Sequence, residues 1–415
     1  MNRSRDLGSF LGWTIWGLGA LFYAYAYFQR VAPSVMTSEL MREFDVTAAA
    51  LGNLSAFYFY PYALLQIPLG MMIDRLGPRR AILAAAALCT IGSFLFALTP
   101  SVTGASLGRL LIGAGASISW VGTLALAMHW LPARRFATVT GLTLLFGLVG
   151  AVIGQAPLAA LMTLAGWRDA MLGAAVVMLI VAGACLVLVR DHDAGMSVSG
   201  PRPGVLASLL LVLRDRQAWK VAIFTGFMVT PMAAFAGLWG VPFVVQAYGL
   251  DVTAAGASVS LILVGWAIGG PLAGWISDRL QRRRPVMATG CAMVITCWLL
   301  LLGVEAPLWV FQVLLLVNGL ASGAIILNFA AIRDIVATPV VAAAMGLVNM
   351  IGMGFSALAL PLLGLLLDWQ WQGVVVDGVR QYSAEAYRNA FWCFPASMIV
   401  SFTAILMLRP GSRGR

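Results

Sequence analysis

Tyr23, Tyr27, Arg30 and Ser34 stand at i, i+4, i+7 and i+11, a spacing that places them along one face of a helix. A guanidinium beside phenol hydroxyls presents forked donors, a chemistry suited to a carboxylate or a phosphate. Arg30 lies in an apolar run that continues to Met36, and the next acid, Glu39, is about 13 Å further along a helix. Holding an arginine at such a depth costs at least about 2.5–3.5 kcal/mol unless it meets water or a partner. Two readings of Arg30 follow: it contacts an anion, or it reaches outward and only anchors its helix.

No acid accompanies it. All sixteen Asp and Glu fall in loops or near the ends of apolar runs, so no carboxylate stands ready as a mid-membrane proton or sodium relay. His129 beside Trp130 reads as an interfacial cap, and His192 as a solvated residue. Cys89, Cys185, Cys291, Cys297 and Cys393 lie in apolar runs without CxxC spacing. They read as small core hydrophobes, with no metal site and no cofactor implied. An enzyme would need a nucleophile–base pair or a metal cluster, and the chain offers neither. Among polar residues in apolar runs, Trp120, Gln155 and Asn349 fall near the middle and rank as candidate ligand contacts. Asn53, Gln66, Gln246, Asn318 and Asn328 are as well suited to bonding helices together.

The elements that position these residues follow from composition. The chain is 61% hydrophobic and 10% charged, with mean hydropathy +0.92. A soluble domain carries about 25% charged residues, so the bilayer is the expected solvent and partner. Twelve apolar runs are long enough to cross it as helices: 11–36, 49–72, 81–99, 104–130, 136–161, 167–189, 219–246, 254–276, 285–303, 307–332, 341–366 and 389–408. With the N-terminus in the cytoplasm, 20 of the 26 Lys and Arg fall on the cytoplasmic side. That bias predicts both termini inside and accounts for the net charge of +10 without a nucleic-acid partner.

The chain also repeats. GMMIDRLGPRR over 70–80 returns as GWISDRLQRRR over 274–284, with Asp74 and Asp278 204 positions apart. DVTAA at 45–49 returns at 251–255, where the Asp and Thr can cap the next helix. Two halves, 1–189 and 218–415, are expected to flank a linker, 190–217, whose stretch from Val205 to Leu213 lies along the membrane face. Matching Val31-Ala32-Pro33 to Gly240-Val241-Pro242 places Trp239 opposite Arg30. The second half then offers an aromatic wall where the first offers charge.

The two basic turns resemble the G-x-x-x-D-R-x-G-R-R signature of the major facilitator superfamily. RLLIGAG over 109–115 resembles its fourth-helix motif, and Gly166-Trp167-Arg168 its start of helix six. The resemblance spans nearly the whole chain. It implies an all-α membrane protein of twelve helices in two pseudo-symmetric six-helix bundles. It also implies that Gly70, Asp74, Arg75, Gly77, Arg80, Asp278 and Arg279 form latches between the halves, with Arg282 to Arg284 read as orienting charges. Arg109 and Gly113 are implied to tie neighbouring helices and shape the cavity. Gln281 departs from the signature glycine, so the second turn is expected to be less tight.

Arg30 is similar in position to the helix-one arginine of superfamily members that carry organic phosphates and carboxylates. The favoured reading is an inner-membrane monomer moving a small organic anion or zwitterion by alternating access, by import or exchange, with a co-transported proton left open. Arg30, Tyr27, Tyr23, Trp120, Gln155, Trp239 and Asn349 form its candidate site. Uptake of a flat aromatic nutrient, efflux of drugs and a sensor role remain as alternatives.

Overall fold

A computed structural model describes residues 2–132, 135–190, 205–337 and 340–409. Nine helices among the described residues are long and apolar enough to cross a membrane. The other three expected spans correspond to Asn2–Val31, the broken pair Ala48–Ala56 and Phe59–Leu65, and Phe136–Ile153. In lipid every backbone N–H and C=O must be satisfied within the chain, which is why apolar runs of this length become helices. Their outward faces remain apolar, as at Leu64, Leu164, Ile180 and Trp309, all exposed. Water would penalise such a surface, whereas hydrocarbon does not.

Breaks in the helices come where the sequence carries breakers or bends. Span one ends at Val31 and passes into a 3-10 turn, Ala32–Val35, built around Pro33. Span two breaks at Phe57 and Tyr58. Span seven runs through a π-helical segment, Phe235–Trp239. Span five breaks at Gly154 and Gln155, and its continuation turns into span six at Gly166, where φ is 79°. The expected linker falls partly on 191–204, outside the described residues. Its apolar stretch forms helix Val205–Arg214, which packs on Val341–Trp369 and leaves Leu210 and Leu211 exposed.

The basic turns mark one end of the bundle, here called the basic end; the opposite end is the far end. Gly77 alone joins two helices, with φ 77° and ψ 155°, a conformation open essentially to glycine only. In the second copy Gln281 cannot take it. It adopts the left-handed form instead, φ 51° and ψ 24°, and Arg282 must extend before the next helix starts at Arg283. The second turn is therefore one residue longer, as the loss of glycine implies. The left-handed form costs a side-chain-bearing residue roughly 1–2 kcal/mol. Gln281→Gly is expected to stabilise the protein by up to about 1 kcal/mol, seen as a higher melting temperature in detergent. An unchanged or lower value counts against strain at this turn.

The repeated DVTAA segments also diverge. Asp251 caps its helix, accepting from the Ala254 N–H at 2.8 Å. Asp45 instead takes the left-handed form, φ 48°, and closes the preceding helix Thr37–Phe44. Thr47 caps Ala48–Ala56 through a longer 3.4 Å contact with the Ala50 N–H. A two-stranded hairpin, Val375–Val376 with Val379–Arg380, adds a small β element at the far end among otherwise helical parts.

Candidate functional site

Arg30 lies in the last turn of its helix, where the chain tightens toward Pro33. Its guanidinium carbon is 4.4 Å from the Tyr27 ring centre, 5.2 Å from Tyr62, 5.7 Å from Tyr58 and 5.9 Å from Phe59. The group therefore does not reach outward as a snorkelling anchor. Its Nε is buried and has no hydrogen-bond partner. Among the described residues, the ion pairs join other groups: Glu43 with Arg168, Asp334 with Arg283 and Arg333, Asp368 with Arg380, and Glu305 with Arg388. Aromatic faces favour a cation at such distances by about 0.5–2 kcal/mol, and the Tyr58 and Tyr62 hydroxyls accept from the guanidinium, but among the described residues no carboxylate pairs with it.

A neighbouring guanidinium is held through both terminal nitrogens, although its Nε, like that of Arg30, is buried without a partner. Arg109, 1% exposed, donates from Nη1 to the Gln29 carbonyl at 2.6 Å and from Nη2 to the Ser55 carbonyl at 3.4 Å. It also faces the Tyr58 ring at 5.1 Å, so that ring lies between the two arginines. Gly113 lets its helix approach closely, since a Cβ there would meet the Tyr58 carbonyl. The fourth-helix motif thus positions the backbone on which Arg30 and Tyr58 are mounted.

An aromatic wall leads away from Arg30. Tyr27 packs on Tyr23 at 4.9 Å between ring centres, and Tyr23 on Trp120 at 5.1 Å. These four residues of the expected constellation come together. Three others do not join them in this structure. Gln155 is fully buried, accepting from Ser34 Oγ at 3.3 Å and donating to the Ala236 carbonyl at 2.7 Å. It is committed as a strut between the halves. Trp239 is likewise buried, and its indole N–H donates to the Leu360 carbonyl at 3.2 Å, so it presents no wall to Arg30. Asn349 donates to Gln66 Oε1 at 2.6 Å, another cross-half bond.

Tyr58, Phe59 and Tyr62 were not among the expected residues. The signal was the run Phe57-Tyr58-Phe59-Tyr60-Pro61-Tyr62, where aromatic residues and a proline interrupt an aliphatic span.

At the basic end, the side chains of Asp74 and Arg75, and Gly70 with them, lie outside what the structure describes. Arg80 and Asp278 are exposed, and Arg279 lies over Trp275 of its own helix at 4.2 Å. Arg283 does more than orient a helix: its Nε donates to Asp334 at 2.5 Å, and Arg284 reaches the Leu406 carbonyl.

At the far end the halves are bonded together. Asp368 Oδ1 accepts from the Ala48 N–H at 3.2 Å, and Oδ2 from the Ala49 N–H at 2.9 Å. Tyr382 donates to the same Oδ1 at 2.5 Å, and the Arg380 Nη1 lies 3.7 Å from it. Burial, reinforced by the adjoining carboxylate, pushes the Tyr382 hydroxyl above its usual range and keeps it a donor. Beside this cluster lies a cavity of about 310 Å³, whose lining includes Ser38, Arg42, Gln246 and Arg380.

A sequence profile described as Major Facilitator Superfamily matches residues 18–302 and again 232–415. The chain belongs to this superfamily. A probable sulfoacetate transporter of Cupriavidus necator is 24% identical over 282 residues, 65% of this chain and 65% of that protein's length. The gentisate transporter of Corynebacterium glutamicum is 24% identical, covering 85% of this chain and 80% of its own. The hexuronate transporter of Escherichia coli is 22% identical, with 86% and 88% covered. Among solved structures, a bacterial homolog of the human lysosomal transporter Spinster superposes with a TM-score of 0.78 at 16% identity, over 95% and 96% of the two chains. A D-xylose–proton symporter gives 0.76 at 12%, over 97% and 99%. The chain spans about 65% of the length of the first of these relatives, and within the superfamily its described residues form nine helices long and apolar enough to cross a membrane.

Proposed function

We propose that the chain moves a small organic anion through the bacterial inner membrane by alternating access, with Arg30 as the group that holds the anion. One observation carries this reading: a guanidinium set among four aromatic rings with its Nε unpartnered and, unlike Arg109, no backbone carbonyl bonded to it among the described residues. A buried charge of this kind is destabilising unless something completes it, and a carboxylate or sulfonate would do so. The relatives lend support, since those named above are called transporters of sulfoacetate, gentisate and hexuronate. Tyr23, Tyr27 and Trp120 add a wall suited to a flat body on that anion, so an aromatic acid such as gentisate combines both features.

The basic end faces the cytoplasm in this reading, with both termini inside, because Lys and Arg are retained there. Residues 1–189 and 218–415 rock about the site, the linker 190–217 joins them, and a single copy suffices. The turns at Gly70 to Arg80 and at Asp278 and Arg279 make and break contacts at the cytoplasmic gate.

The test is ligand-induced stabilisation of the purified protein with gentisate, glucuronate, galactonate and sulfoacetate. A ligand at a hundred times its Kd adds about 2.7 kcal/mol to the native state and raises the melting temperature by several degrees. At least one of the four is expected to do so in the wild type and to fail with Arg30→Ala. If none stabilises the wild type, or if the variant responds equally, Arg30 is not an anion site.

A further inference from the structure

The cavity of about 310 Å³ at the far end lies between the halves, and none of the rings around Arg30 lines it. Its volume falls in the range of small-molecule sites, roughly 300–1,000 Å³. The first half contributes Ser34, four residues beyond Arg30, and Thr37, Ser38 and Arg42 of helix Thr37–Phe44. The second half contributes Val241, Val245 and Gln246 of helix Gly240–Tyr248 and the inner side of the hairpin, whose strand Val379–Arg380 packs on Thr37–Phe44.

Three charged side chains face this space: Arg42, Arg380 and Asp377. Arg380 is already shared, lying over the Trp371 ring at 4.3 Å and 3.7 Å from Asp368 Oδ1. Arg42 is exposed and has neither an ion pair nor a hydrogen bond among the described residues. The acids of its own helix are engaged elsewhere: Glu43 pairs with Arg168, and Glu39 accepts from Ser38 Oγ at 3.1 Å. Asp377 sits in the exposed hairpin turn, with φ 50°, and pairs with no cation among the described residues. Gln246 and Gln381 line the cavity too, and neither side-chain amide has a partner among the described residues.

One open guanidinium, one open carboxylate and two open amides specify a ligand. A carboxylate takes the fork of Arg42. Hydroxyls donate to Asp377 and exchange bonds with the two amides, while the carbon skeleton rests on Val241, Val245 and Val379. A carboxylate without hydroxyls would satisfy Arg42 and nothing else, and a dianion would be repelled by Asp377. We propose that this chamber is a second binding site, separate from Arg30, for a hydroxylated monocarboxylate such as a sugar acid. Its walls come from both halves, so the site is complete only while the far end is shut. Ser38, Arg42 and Asp377 keep its mouth exposed to water, which screens the charges and sets the expected affinity in the millimolar range.

The experiment uses the full chain in detergent with Thr37→Cys, whose thiol lines the chamber, and follows its rate of labelling by a thiol reagent. Arg30→Ala is present in the same chain, so binding at the Arg30 cluster does not contribute. Glucuronate at ten times its Kd leaves about one chamber in eleven free, and labelling is expected to slow about tenfold. Arg42→Gln is expected to remove that protection with no change in ligand-free melting temperature. Cyclohexanecarboxylate, a ring acid without hydroxyls, is expected to need at least about ten times the concentration for the same effect. Absence of protection by glucuronate at tens of millimolar, or equal protection after Arg42→Gln, overturns the site. Equal protection by cyclohexanecarboxylate overturns its assignment to a hydroxy acid. Neither result bears on Arg30, whose part in binding is read from ligand-induced stabilisation.

Discussion

Arg30→Ala is expected to lower uptake of the transported anion at least about a hundredfold while leaving the ligand-free protein as stable as the wild type, or more so. Hydrogen bonds to a charged partner are worth about 1.5–3 kcal/mol each, and losing a forked pair removes at least two orders of magnitude in binding. The folded protein loses little in return. Contacts with the rings of Tyr27, Tyr58, Phe59 and Tyr62 and the bonds to the Tyr58 and Tyr62 hydroxyls disappear, but so does the larger penalty of a charge buried without a counter-ion. The pairing of lost transport with an undiminished melting temperature separates a ligand group from a structural one. Arg30→Lys sharpens the test, since it keeps the charge and loses the fork, and an intermediate loss is expected. Wild-type uptake by the alanine variant, or a fall of many degrees in its ligand-free melting temperature, sinks the reading.

The fold was legible because lipid leaves few options. A run of about 20 apolar residues must be a helix there, and basic turns must sit at its end. The site was legible only in part. Arg30 stood out because a charge in an apolar run has no bland explanation, and Tyr23 and Tyr27 followed from helical spacing. Tyr58, Phe59 and Tyr62 did not, since an aromatic residue in a span counts equally well as packing, and only the crossing of spans one and two brings them to the guanidinium. Trp239 stands apart from the Arg30 cluster for a different reason. Aligning the halves assumes equal winding, but the π-helical segment Phe235–Trp239 winds differently from an α-helix and its last side chain turns toward Leu360. Asp368 was one of many acids near span ends. Its role depends on amides 320 and 319 positions away, which no local pattern reveals.

Asp368→Ala is expected to shift the carrier toward a state open at the far end. Span two begins at Ala48 with free amide groups, and its own cap, Thr47, reaches only Ala50 at 3.4 Å. Where the second copy uses its own Asp251, the first copy receives a carboxylate from the other half of the molecule. A capping carboxylate contributes about 0.5–2 kcal/mol, helped by the positive end of the helix. The Tyr382 hydroxyl adds a further bond to the same group. These bonds hold only while the far ends of spans two and eleven touch, so they bias the equilibrium between closed and open forms by their full worth. Losing about 2 kcal/mol moves that equilibrium roughly thirtyfold.

A cysteine at Thr37, which lines the adjoining cavity and is buried, reports the change through its rate of labelling by a thiol reagent that cannot cross the membrane. Cys89, Cys185, Cys291 and Cys297 are buried and Cys393 half-buried, so background labelling is small. With Asp368→Ala the labelling rate should rise at least about tenfold, and with Asp368→Asn, which keeps one acceptor oxygen, by less. The helix itself should survive, because Thr47 still caps it and the close packing of Gly52 on Leu360 and Pro361 is untouched. Unchanged labelling at Thr37, with transport intact, would show that the far end opens without breaking this cap and that Asp368 serves only the fold.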